Sequence, residues 1–185
     1  MTAGQVAKVL LVDDRRENLI ALEAILQGLP VQTVPVTTGD EALKRLLLED
    51  FAAILLDANM PGMDGYETAG HIKQRERTRN IPIIFLTAEG YDARLAFRGY
   101  QAGAVDYITK PFDPWVLRSK VEVFVEMWSM NAELAARVAE YQALRQTLDQ
   151  ALDLLDATPP DVDAAAAALR DAVARPQAAR AVTTS

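Results

Sequence analysis

The sequence predicts a doubly wound α/β domain built on a five-stranded parallel sheet, with a long helix following it. Three observations carry this expectation. Runs such as Ile54-Leu55-Leu56 and Ile83-Ile84-Phe85-Leu86 are apolar without alternation, as in parallel strands buried on both faces. Amphipathic stretches separate these runs, so that a βα unit recurs five times. Polar residues stand at the carboxyl ends of four of the expected strands, Asp13-Asp14, Asp57, Thr87 and Lys110. In an open parallel sheet those ends converge on one crevice.

The first strand is expected at Lys8 to Val12 and the first helix at 15-27. Asp14, with Glu17 three residues on, also fits the N-cap of that helix, a plainer role than any chemistry. The second strand is expected at Val31 to Val36, and its helix at 39-49 begins after Thr38, with Glu41 in capping-box spacing. A third strand at Ala52 to Leu56 leads through a Met-Pro-Gly-Met-Asp-Gly turn into a helix at 65-76. Pro82 to Leu86, a helix at 91-101, and Ala104 to Ile108 complete the repeats. Asp113-Pro114 then supplies a cap and a first-turn proline for the last helix. Right-handed crossovers make these elements a three-layer domain over 1-126.

Composition narrows the function. Half of the 185 residues are apolar, enough for one domain and an extension. No cysteine is present, which excludes disulfides, thiolate nucleophiles and zinc-thiolate sites and suits a cytoplasmic protein. A net charge of -7 argues against nucleic acid or anionic lipid as partner. The early run Val9 to Val12 is too short for a signal-peptide core, and no later run is long enough to span a membrane.

The crevice would gather three carboxylates, a hydroxyl and an ammonium, a set suited to a divalent cation and a phosphoryl group. Asp57, directly after a buried strand and before a turn, is the candidate nucleophile that would form an acyl phosphate. Asp13 and Asp14 would hold Mg²⁺ together with Asp57 and the backbone carbonyl of Asn59, all hard oxygen ligands. Thr87 and Lys110 would bond the phosphoryl oxygens. Singly, Thr87 also reads as a helix cap and Lys110 as a solvated surface lysine, but capping does not explain all four groups at one sheet edge. His71, the sole histidine, reads as a surface residue.

Residues 8 to about 126 resemble a response regulator receiver domain, through VLLVDD at 9-14, LLDANMPGMDGYE at 55-67, FLTAEG at 85-90 and AGAVDYITKPF at 102-112. The resemblance implies a flavodoxin-like fold and phosphoryl acceptance on Asp57 from a cognate histidine kinase or phosphotransfer protein, with Mg²⁺ bound by Asp14 directly and by Asp13 through water. It further implies a cis Lys110-Pro111 bond, although the sequence alone leaves trans open, and tuning of dephosphorylation by Asn59 and Glu89. Movement at Thr87 would let Tyr107 turn inward, changing the face formed by helix four, strand five and helix five. A static, half-buried tyrosine at a sheet edge is the plainer reading of Tyr107.

From Pro114 the helical pattern runs through Leu155, with no Gly or Pro before Pro159. About 44 residues extend roughly 65 Å, against a radius of gyration near ~14 Å for such a domain, so the helix is expected to project. Leu117, Val121, Phe124, Trp128 and Asn131 form a 4-3 stripe, and after an extra three-residue step Leu134, Val138, Tyr141, Arg145, Leu148, Leu152 and Leu155 continue it. That pattern fits a locally overwound coiled coil over 127-157 and a parallel homodimer, with Asn131 and Arg145 weakening the seam. A folded-back tail or a different partner are the alternatives. Within 158-185, Asp161 to Ala174 fits a short helix and Gln177 to Ser185 a disordered end.

The expected function is a binding switch in which phosphorylation alters dimerisation or coil register, passing a signal to a partner or an output domain. An Mg²⁺-dependent aspartyl-phosphate phosphohydrolase is the enzymatic alternative. Such enzymes place an acid two residues beyond the nucleophile, where Asn59 stands. A stand-alone monomeric receiver with an inert coil is a third possibility.

Overall fold

The computed structural model describes residues 6–87, 106–157 and 160–181. Five parallel strands, β1 (Ala7–Val12), β2 (Val31–Val36), β3 (Ala53–Asp57), β4 (Ile83–Thr87) and β5 (Asp106–Thr109), pair in the order β2-β1-β3-β4-β5. The described helices are α1 (Arg16–Leu26), α2 (Gly39–Leu48), α3 (Gly65–Gln74), α4 (Pro114–Asp156) and α5 (Val162–Ala181). The helix expected at 91-101, residues 104 and 105 of the fifth strand, and Glu89 lie outside the described residues. Among the described residues no helix is long and apolar enough to cross a membrane.

The chain forms two compact units that meet within α4, after Asn131. The first unit is a three-layer domain whose strands alternate between two cores. Leu10, Val12, Ile54, Leu56 and Phe85 face Ala42 and Leu46 of α2 and Tyr66, Ala69 and Ile72 of α3. Val9, Leu11, Leu55, Ile84 and Leu86 face Leu19, Leu22 and Leu26 of α1 and Leu117, Val121 and Val125 of α4. Because both faces are covered, β3 and β4 are buried throughout. This unit reaches past the boundary expected at 126, to Asn131, and Trp128 packs onto the second core.

Local signals fix where several helices begin. The Thr38 hydroxyl accepts from Glu41 N at 3.2 Å, and the Glu41 carboxylate accepts from Thr37 N at 3.4 Å, a slightly displaced capping box. The Asp113 carboxylate accepts from Trp115 N at 2.8 Å at the start of α4. For α1 the sequence misleads: Arg15, not Asp14, is the N-cap, and it makes no side-chain cap bond. α1 begins at Arg16, one residue later than that reading required, and Asp14 is exposed.

The stripe expected along the last helix is not one surface. Leu117 and Val121 are fully buried, and Phe124 and Trp128 are partly buried against the same core. The spacing there is that of a helix lying on a sheet, 117, 121 and 125, rather than of a coiled-coil seam.

Residues from Ala132 onward form the second unit. Its buried residues are small, Ala132 and Ala151 on α4 and Ala165 on α5, while Leu134, Val138, Tyr141, Leu148, Leu152 and Leu155 are exposed. Asp161 N donates back to Leu154 O at 2.9 Å, and the Asp161 carboxylate accepts from Ala164 N at 2.9 Å, capping α5. The helix of the Ala-rich tail runs past the end expected at Ala174 through Pro176 to Ala181. Residues 177–181, expected to be disordered, are helical.

Candidate functional site: the carboxylate crevice

β1 lies between β2 and β3, so the chain departs in opposite directions along the sheet at the β1/β3 boundary, where crevices form in such folds. Asp13 follows β1 and is fully buried; Asp57 is the last residue of β3 and is 7% exposed. Carboxylate oxygens of Asp13, Asp14 and Asp57 lie within 4.8 Å of one another. Thr87 ends β4 and is buried, and Asn59, past the end of β3, is exposed.

Lys110 follows β5, its N–H donating to Thr87 O at 2.7 Å, and its bond to Pro111 is cis. Its Nζ lies 2.9 Å from Asp13 Oδ2 and 3.1 Å from Asp57 Oδ1. It is therefore not the solvated surface lysine that its position alone would also allow. The structure brings together Asp13, Asp14, Asp57 and Lys110 side by side, with Thr87 on the adjoining strand end.

The electrostatics are those of a crowded acidic site with one cation. Burial pushes the Asp57 carboxyl above its ordinary range, with the charges of Asp13 and Asp14 adding to the rise, against the opposing pull of Lys110. For Lys110 burial is the largest single influence and acts downward, but the hydrogen bonds and charges of Asp13 and Asp57 together outweigh it and hold the ammonium above its ordinary value. One ammonium shared by Asp13 and Asp57, with the Asp14 carboxylate close by, leaves net negative charge, and hard oxygen donors of this kind fit a small divalent cation.

Two features of the site escape the sequence reading. Gly65, the first residue of α3, presses against the end of β3: a Cβ there would sit 2.2 Å from Asp57 O and 2.9 Å from Ala58 Cα. Gly65→Ala is therefore expected to shift the backbone that carries Asp57 and to destabilise the domain by about 1–3 kcal/mol, read by urea denaturation. The turn before it is shaped by Gly62, at φ 78°, following Pro61. The second feature is an aromatic stack: the Phe85 ring lies 4.8 Å from that of Tyr66 and 5.4 Å from that of Tyr107. Tyr107, partly buried, thus lies flat on the residue paired with it in the adjacent strand.

A flavodoxin-like sheet carrying acidic groups and a lysine at its strand ends defines a receiver-type signalling domain. The chain matches the response regulator receiver domain family over residues 9–122 and belongs to it. Among curated proteins it is 39% identical over 125 residues to the transcriptional regulatory protein ResD of Bacillus subtilis, a match covering 68% of this chain and 50% of ResD. The chain thus spans half the length of that relative. Among solved structures, Vibrio cholerae chemotaxis protein CheY4 aligns with TM-score 0.61 at 29% identity, covering 65% of this chain and 99% of that one. The receiver domain of the Pseudomonas aeruginosa sensor histidine kinase PA1611, with magnesium coordinated in its active-site cleft, aligns with TM-score 0.60 at 31% identity, covering 66% of this chain and 99% of that one.

Proposed function

We propose that the chain is a response regulator that accepts a phosphoryl group on Asp57 from a histidine kinase or phosphotransfer protein, and that it acts in the cytoplasm as a signalling switch. Its only catalysis would be its own phosphorylation and dephosphorylation. The observation that carries this reading is the Lys110 ammonium bridging Asp13 and Asp57 at 2.9 and 3.1 Å. A carboxylate oxygen of Asp57 attacks phosphorus, the P–N bond of the donor phosphohistidine breaks, and the imidazole leaves with that electron pair. Lys110, already beside Asp57, then bonds a phosphoryl oxygen, as does the Thr87 hydroxyl.

Asp14, Asp57 and the Asn59 carbonyl are the direct ligands proposed for Mg²⁺, with Asp13 holding the ion through water, in keeping with the magnesium coordinated in the related PA1611 receiver. The ion would offset negative charge on the phosphoryl group. Asn59 and Glu89 are proposed to set the lifetime of the acyl phosphate by shaping access of water.

Two charge-assisted hydrogen bonds, each about 1.5–3 kcal/mol, approach the ~5.5 kcal/mol that moves a two-state population from 1:99 to 99:1. Thr87 and Tyr107 are the proposed switch residues, acting on the surface around β5. The exposed Leu134, Val138, Tyr141, Leu148, Leu152 and Leu155 support a homodimer through α4. Light scattering with Mg²⁺, with and without beryllofluoride, tests this. A dimer is expected with beryllofluoride, and Asp57→Asn is expected not to respond to it. A monomer in both states contradicts dimerisation and favours a receiver with an inert helix.

A further inference from the structure

The carboxylate of Asp13 is held by more than Lys110. Asn18, in the first turn of α1, reaches back over the end of β1, and its Nδ2 lies 2.9 Å from Asp13 Oδ1 and 3.0 Å from Oδ2. The amide orientation is fixed by chemistry, because the opposite flip would set the Asn18 carbonyl oxygen against a carboxylate. Arg15 N donates to Oδ1 at 3.0 Å, and Lys110 Nζ to Oδ2 at 2.9 Å. Each oxygen of Asp13 therefore meets two donors, which accounts for the roughly four lone-pair sites a carboxylate offers. Asp14, next in the chain, is exposed.

We infer that Asn18 is a positioning residue that sets the cation preference of the site by keeping Asp13 out of direct coordination. This rests on the reading above that Asp13, Asp14 and Asp57 form a cation site. Lys110 can turn away toward a phosphoryl oxygen, whereas Asn18 and the Arg15 N–H hold Asp13 from the β1–α1 turn without any part of Lys110. With Asp13 engaged in this way, direct ligation by protein falls to Asp14, Asp57 and the Asn59 carbonyl, and the rest of the coordination shell is left to water and the incoming phosphoryl group. A site with few direct carboxylates suits Mg²⁺, which dehydrates reluctantly and keeps several waters. Ca²⁺ takes six to eight oxygens in flexible geometry and gains more from each carboxylate released to it. Removing the Asn18 amide frees Asp13 to coordinate directly, so the site shifts toward Ca²⁺.

The test is calorimetric titration of the full chain, stripped of metal, with MgCl₂ and separately with CaCl₂. Asn18→Ala is the main variant, since alanine favours the helix it sits in, and Asn18→Gln returns an amide donor. The ratio of the Ca²⁺ to the Mg²⁺ dissociation constant is expected to fall about tenfold in Asn18→Ala, the usual scale for losing the partner of a metal ligand, and to move back toward wild type in Asn18→Gln. A purely structural role in the β1–α1 turn would weaken both cations alike and leave the ratio at its wild-type value, which overturns the inference. Wild-type protein that binds neither cation overturns the reading of the site itself, and this inference with it.

Discussion

Asp57→Asn is expected to abolish phosphoryl uptake from a small phosphodonor such as acetyl phosphate in Mg²⁺, while making the metal-free protein more stable. The first effect follows from chemistry: an amide oxygen at the end of β3 is no nucleophile, and the buried carboxylate beside it, Asp13, is saturated with donors. The second follows from electrostatics. Burial raises the pKa of Asp57 in the folded state. A carboxyl whose folded pKa lies above its unfolded value favours folding below both, and that contribution is lost as pH rises from the unfolded value, near ~3.9, through the folded one. In EDTA the wild-type protein should therefore lose stability over that window relative to Asp57→Asn, and the variant should show the higher urea midpoint at neutral pH. Retained uptake in the variant would move the acceptor elsewhere; a lower midpoint would mean that the ion pair with Lys110 outweighs burial.

Lys110→Ala carries the largest expected loss of stability. It removes the ammonium from Asp13 and Asp57 together and leaves the fully buried Asp13 carboxylate facing two others. Removing one member of a buried ion pair costs about 3–5 kcal/mol. The lower end, near ~3 kcal/mol, applies here because the Lys110 side chain remains 25% exposed. Urea denaturation in EDTA reads this loss directly. Mg²⁺ should restore part of the stability, because a divalent cation replaces the missing positive charge and binds the folded state alone. Equal stability of variant and wild type in EDTA would contradict the proposed electrostatic balance.

Much of this molecule is legible in its sequence because parallel strands buried on both faces leave an unmistakable trace. Each of the first four strands falls within a residue of its expected bounds, and Asp13, Asp57, Thr87 and Lys110 stand at strand ends as the pattern requires. The support behind those groups is not legible. Nothing in the sequence singles out Asn18, and only the turn of the backbone after Asp13 brings its amide onto that carboxylate. Gly65 reads as the start of a helix, whereas its role is to let α3 approach the carbonyl of Asp57. Along α4 the apolar spacing is ambiguous, because one helix meets a sheet at Leu117, Val121 and Val125 and leaves larger apolar residues exposed beyond Asn131. A four-three alternation describes both parts equally well, and only packing separates them.

The central claim is that Asp57 becomes an acyl phosphate, and the most direct measurement identifies the atom. Protein treated with acetyl phosphate and Mg²⁺ is reduced with borohydride, which converts an aspartyl phosphate to homoserine, and its peptides are mapped by mass spectrometry. Homoserine at position 57, and at neither 13 nor 14, is the predicted result. Conversion at Asp13 or Asp14, or none at any aspartate of the crevice, would contradict it.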